Sequence, residues 1–174
     1  MRVAVFSDSH GDFFRMWETL GKLHRERALD AVFFLGDGCE EFCAVESSFH
    51  DPRVAFLAVT GNNDYAMRHT DFPPPAARIA DLAPYRALLV HGDACGAKNG
   101  ASGPAALARR NGCGIVLHGH THLPRCEVDR GENGDLSPVY VFCPGSIGEP
   151  RRGKASYGIL TVEGEKVTFT VENA

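Results

Sequence analysis

The chain has 174 residues with 44% hydrophobic and 23% charged content, the proportions of a folded globular protein, and its length fits one domain over 1–174. A formal net charge of −4 with no basic run weighs against broad nucleic-acid binding and against a membrane surface as partner. No apolar stretch approaches the roughly 18 residues of a membrane span, and Asp8 interrupts the first apolar run too early for a signal peptide, so a cytoplasmic location is expected.

Residues 2–7 read as a buried strand that runs into Asp8-Ser9-His10-Gly11-Asp12. Phe13, Met16, Trp17, Leu20, Leu23 and His24 then recur at helical spacing, with Asp12 where an N-cap belongs. A second apolar strand over 31–37 ends in Gly36-Asp37, and 40–49 reads as a short helix. A third strand over 54–62 runs into Gly61-Asn62-Asn63-Asp64. This β-α-β-α-β order predicts a mainly parallel sheet covered by helices. The prolines of 71–78 exclude that segment from a central strand. Residues 77–93 read as two strands around Ala83-Pro84, ending in His91-Gly92-Asp93. A helix over 103–112 and a strand over 114–120 lead to His118-Gly119-His120-Thr121-His122. The final third looks all-β: 125–129 and 138–142 flank a loop rich in Gly, Asn and Asp, and 156–172 forms a hairpin around Gly164.

The six cysteines contain no C-x-x-C pair, which removes zinc-ribbon and thioredoxin readings and predicts free thiols. Cys39 and Cys43 fall on one helix face and read as packing; a role for Cys39, Cys95 or Cys143 is not legible.

Five strands thus end in carboxylates, amides or imidazoles. Ligands bind outside the carboxyl ends of strands in open α/β sheets, so the five ends are expected to converge on one crevice. In extended chain, residues i and i+2 point the same way, so Asp8 with His10, and His120 with His122, would each present two donors to one side. Carboxylates suit hard cations and imidazoles suit Mn, Fe, Ni or Zn. The set exceeds the needs of one four-coordinate ion and fits two ions sharing a carboxylate, with Asp37 as the natural bridge. Glycines at 11, 36, 38, 61, 92 and 119 would let the backbone turn beside them. A lone D-x-H or Gly-Asp is an ordinary turn; all five in this order, each after an apolar strand, are hard to obtain by chance.

The ordered set D-x-H, G-D, G-N-x-D, H-G and G-H-x-H, with Pro144-Gly145-Ser146 further on, resembles the calcineurin-like metallophosphoesterase superfamily, and the short length and G-N-N-D resemble its small YfcE-type phosphodiesterase branch. The resemblance implies an α/β fold of two mixed β-sheets packed as a sandwich and flanked by helices. It implies a binuclear centre in which Asp8, His10 and His122 hold one divalent metal, Asn62, His91 and His120 hold the other, and Asp37 bridges. It also implies hydrolysis of a phosphodiester P–O bond by a metal-bridging hydroxide, with a small phosphate ester as substrate. Asn62, Asn63 and His120 are the candidate catalytic residues, and Asn62 and Asn63 the candidate donors to phosphate oxygens. Asp64 reads as an orienter.

The chain departs from the pattern at Asn63, where many relatives carry a histidine serving the leaving group, and at Cys143, where the family has Asn. His69, Tyr65 and Cys95 are candidate proton donors by proximity, and Arg15, Arg68, Arg151 and Arg152 candidate anion-steering groups. The alternatives are a phosphomonoesterase or nucleotide phosphatase on the same fold, and a non-catalytic scaffold like the retromer subunit of that superfamily. The natural substrate, the metal and the oligomeric state are not legible.

Overall fold

A computed structural model of the chain describes residues 1–131, 134 and 136–174. Part of the Gly/Asn/Asp-rich loop expected before residue 138, and the side chain of Arg68, lie outside the described residues. In chain order the elements are β1 (Arg2–Phe6), α1 (Phe13–Glu26), β2 (Ala31–Phe34), α2 (Cys39–Ser48), β3 (Ala55–Ala58), β4 (Ala77–Leu82), β5 (Tyr85–Val90), α3 (Ser102–Arg110), β6 (Ile115–His118), β7 (Pro124–Asp129), β8 (Val139–Pro144), β9 (Ser156–Glu163) and β10 (Lys166–Asn173). Every helix and strand expected from periodicity is present, with ends shifted by a few residues.

The strands form two five-stranded sheets, ordered β10-β9-β1-β2-β3 and β4-β5-β6-β8-β7. The parallel pairing expected of the first three strands is present, within a mixed sheet. In the first sheet β1, β2 and β3 are parallel while β9 and β10 run antiparallel. In the second, β5, β6 and β8 are parallel, with β4 and β7 antiparallel at the edges. The physical reason lies between β3 and β4: Pro73, Pro74 and Pro75 have no N–H to give to a ladder, and the chain leaves the first sheet there. The mixed two-sheet arrangement matches what the resemblance implies.

The central strands read as unbroken apolar runs because both of their faces are covered. In β1, Val3 and Val5 enter the core between the sheets, joined by Phe33, Leu89, Ile115, Leu117 and Leu160. Ala4 and Phe6 face the other way, against Met16 and Leu20 of α1 and Phe42 and Val45 of α2. The third cluster sits under α3, where Ala105 and Ala108 meet Leu88, Val116 and Val141. Truncating a buried phenylalanine such as Phe33 costs about 3–5 kcal/mol, so these layers hold the strand ends where the polar residues emerge. Among the described residues no helix is long and apolar enough to cross a membrane.

Candidate metal centre

The polar strand ends do meet. Asp8 and His10 follow β1, Asp37 follows β2, Asn62 and Asn63 follow β3, His91 follows β5, and His120 and His122 follow β6. They are not in extended chain, which corrects the i, i+2 reading. Asp8, His10, Asp37, His120 and His122 have φ of 55°, 43°, 60°, 65° and 55°, and are the positive-φ residues other than glycine among those described. Asp and His are among the side chains that tolerate this region best, yet each such residue still costs of order 1–3 kcal/mol. The left-handed turns fold the chain back after β1, β2 and β6, so those side chains point inward instead of continuing the pleat.

Two glycines make the convergence possible. A Cβ on Gly36, whose φ is +90°, would meet the backbone nitrogen of Gly61 and come within 2.7 Å of its Cα, so the turn after β2 lies directly on the turn after β3. A Cβ on Gly119 would meet the Ser7 hydroxyl and come within 2.7 Å of Asp8 Oδ2, which seats the turn after β6 on the end of β1.

The assembled donors form two overlapping groups whose ligand atoms lie within 4.8 Å of one another: Asp8, His10 and His122, and Asp8, Asp37 and His91. Nε2 of His122 lies 3.1 Å from Asp8 Oδ1 and 3.3 Å from His10 Nε2. Nε2 of His91 lies 3.3 Å from Asp37 Oδ2 and 3.1 Å from Asn62 Oδ1. His120 belongs to neither group; its ring centroid is 5.0 Å from that of His91, and its backbone N–H donates to Asp8 Oδ2 at 3.1 Å. The other ring nitrogens of two histidines are taken: His91 Nδ1 donates to the Leu35 carbonyl at 2.7 Å and His122 Nδ1 to the Glu149 carbonyl at 2.5 Å. With the rings neutral, this leaves Nε2 of both turned toward the carboxylates with a lone pair for a cation.

Asp8 is fully buried, and among the described residues its Oδ1 takes no hydrogen bond, with His122 Nε2 3.1 Å away. A buried carboxylate oxygen without a donor is costly, and a cation among these imidazoles would satisfy it. The residues present fit divalent metal ions.

Electrostatics points the same way. Burial pushes the Asp37 carboxyl up, but hydrogen bonds from His91 and Asn63 outweigh it and hold the group at about 2. Burial pushes His91 down, and the carboxylates of Asp37 and Asp8 more than reverse this. The Asp8 carboxylate beside it raises His122. Burial, then the charges of His91 and Lys98, lower His120.

Asn63 does not reach outward as expected. Its backbone N–H donates to Asp37 Oδ1 and its Nδ2 to Asp37 Oδ2, both at 2.7 Å, so it clamps Asp37. Asp64 accepts from the backbone N–H groups of Asp37, Gly38, Cys39 and Gly61 at 2.6–2.9 Å, tying the turns after β2 and β3 together. Asp12 caps α1 through the Arg15 N–H.

The remaining expected residues are less engaged. A cleft of about 220 Å³ beside His10, Asp37 and Asn63 is lined by Glu40, Glu41 and Met67, and neither Tyr65 nor His69 lines it. Burial pushes the Cys95 thiol up, and its Sγ faces the Gly92 carbonyl. Arg15 is committed to Asp12 and the Ile147 carbonyl, while Arg151 and Arg152 are exposed. Cys143 is buried beside Thr121, its thiol pushed up to about 12 by burial.

The sequence reading missed the frame beneath the donors. Ser7 Oγ donates to Asp8 Oδ2, and Ser146 Oγ to the Asp8 carbonyl at 2.7 Å. The backbone N–H groups of Ile147 and Gly148 close over the Ser7 and Asp8 carbonyls. The Pro144-Gly145-Ser146 motif signalled this segment without revealing its task, and nothing signalled the Leu35 and Glu149 carbonyls.

Comparison with known proteins agrees with this geometry. The model of the calcineurin-like phosphoesterase superfamily domain matches residues 1–165. The chain is 31% identical over 169 residues to the probable metallophosphoesterase YsnB of Bacillus subtilis, covering 97% of this chain and 88% of YsnB. It is 34% identical over 109 residues to the phosphodiesterase YfcE of Escherichia coli K12, a match spanning 60% of this chain and 51% of YfcE. Among solved structures, Vacuolar Protein Sorting 29 from Cryptosporidium parvum superposes with a TM-score of 0.75 at 18% identity, over 99% of this chain and 91% of that one, a likeness of fold alone. With its strand-end donors in the family's order and a family match over nearly its whole length, the chain belongs to the calcineurin-like phosphoesterase superfamily.

Proposed function

We propose that the protein is a divalent-metal-dependent phosphodiesterase. The observation that carries the reading is the buried Oδ1 of Asp8, which takes no hydrogen bond from the described residues and is surrounded by imidazole nitrogens and a second carboxylate. Asp8, His10 and His122 would hold one ion; Asn62, His91 and His120 the other; Asp37 both. Two such ions supply an activated water nucleophile and polarise a phosphoryl oxygen. The metal is one of Mn, Ni, Fe or Zn.

The chain's own part is preorganisation. The Leu35 and Glu149 carbonyls hold His91 and His122 with Nε2 inward. His91 and Asn63 hold Asp37 ionised, and Asn63 bonds both its oxygens. With Asn63 spent on Asp37, Asn62 is the side-chain amide left to address a phosphate oxygen. No histidine stands at position 63 to protonate a leaving group, which favours esters whose leaving group departs unaided, such as aryl diesters. Elemental analysis and turnover of bis(p-nitrophenyl) phosphate beside p-nitrophenyl phosphate test this. The metal-loaded protein is expected to hydrolyse the diester faster, and Asp37→Asn to lose metal and rate together. Metal-loaded protein with no hydrolysis of either ester would leave the scaffold reading. Faster monoester turnover would favour the phosphatase reading.

A further inference from the structure

A second cleft, of about 600 Å³, opens between α1 and the segment after α2. It lies toward the amino ends of the strands: Arg25 closes α1 ahead of β2, and Asp51–Arg53 precede β3, whereas the metal donors follow the carboxyl ends. Ligand pockets typically measure about 300–1,000 Å³ and combine aromatic walls with a few convergent polar groups.

Trp17 and Phe49 are aromatic members of its lining, and Trp17 is 45% exposed. Gly21 forms part of the floor. A glycine inside a helix lowers helix stability, and here it makes room: a Cβ would stand 3.2 Å from Arg25 Nη1, so the guanidinium lies across the bare turn. The opposite rim is braced. Asp51 takes a forked pair of hydrogen bonds from Arg53 at 2.9 and 2.7 Å and a third from His24 Nε2 at 3.1 Å. His24 Nδ1 in turn accepts from the Leu29 N–H, so its ring is fully used. Arg53 Nη1 takes no part in this fork, its side chain is 84% exposed, and His50 is exposed beside it. Two arginines against one aspartate make the lining net positive in a chain of net charge −4.

We infer that this cleft binds a nucleoside monophosphate, with the base against the Trp17 indole and the phosphate between Arg25 and Arg53. An indole face stacks on any base, and guanidinium groups grip phosphate through paired N–H donors. The inference does not depend on the phosphodiesterase reading.

Trp17 is the chain's one tryptophan, so its emission reports the cleft directly. Titrating the full chain with AMP is expected to give a saturable change in emission that survives a chelator. Adenosine and inorganic phosphate should each need about tenfold more ligand or worse, and Arg25→Ala should weaken AMP by about tenfold or more. Gly21→Leu fills the floor while keeping the helix, and should abolish the response with the melting transition intact. Calorimetry on the same variants reads binding without the optical probe. No saturable change, equal affinity for adenosine or phosphate, unchanged affinity in Arg25→Ala and Gly21→Leu, or loss of the response on chelation would each overturn the assignment.

Discussion

At the scale of single residues, the candidate centre rests on side chains held by backbone atoms. Asp64 is the clearest case. Its Oδ1 accepts from Gly38 and Cys39, and its Oδ2 from Asp37 and Gly61. Burial pushes its carboxyl up, but these N–H groups outweigh that and hold it below the usual carboxylate range. Asp64→Asn would turn an NH2 onto two N–H donors whichever way the amide faces. Each buried donor left unsatisfied costs about 1–3 kcal/mol. The variant should melt lower and retain less metal than the parent, as thermal denaturation and elemental analysis would show. Asp8, His10, Asp37, Asn62, His91, His120 and His122 were all legible because each stands just past an apolar strand. The left-handed backbone of Asp8, His10, Asp37, His120 and His122 was not, since a D-x-H in extended chain and one in a turn are written the same way. The clamp of Asn63 on Asp37 was equally hidden: an asparagine that faces substrate and one that faces a neighbour 26 residues away look alike in sequence.

Among the elements, the strand ends matter more than the strands. The turns after β2 and β3 touch through Gly36 and Gly61 with no room for a methyl group. Gly36→Ala should therefore pay both the left-handed strain of about 1–3 kcal/mol and a displacement of the turn that carries Asn62. Gly153→Ala is the control: its φ is also positive, at 72°, but nothing lies within 4 Å of the added carbon. The expected outcome is a large fall in melting temperature and metal content for Gly36→Ala and a modest fall in melting temperature alone for Gly153→Ala. Equal effects would mean that the contact between the turns does not matter. Element identity was legible from periods of two and 3.6 residues; the close contact between turns was not, because Gly36 and Gly61 read only as generic turn residues.

For the whole molecule, protons and metals compete for the same imidazoles. In the metal-free protein Asp37 and Asp8 raise His91 and His122 above the ordinary histidine value of about 6.5. A raised folded pKa gives stability that is fully present below the unfolded value and is lost as pH rises through the folded one. Metal binding needs the neutral rings, so its stabilisation grows as they deprotonate. The gap in melting temperature between metal-loaded and chelated protein should therefore widen from pH 6 to pH 9; a constant or narrowing gap would separate these histidines from the metal. The sequence by itself determined the strands, the helices, their order and the chemical kinds of donor at each strand end, because those signals are local and repeat within a few residues. Only the tertiary structure decided which strands share a sheet, how the turns fold back, and that a cleft lined by Trp17 and Arg25 stands apart from the metal donors. Those outcomes depend on contacts between distant positions, such as Asp8 with His122 or His24 with Asp51, that no local pattern records.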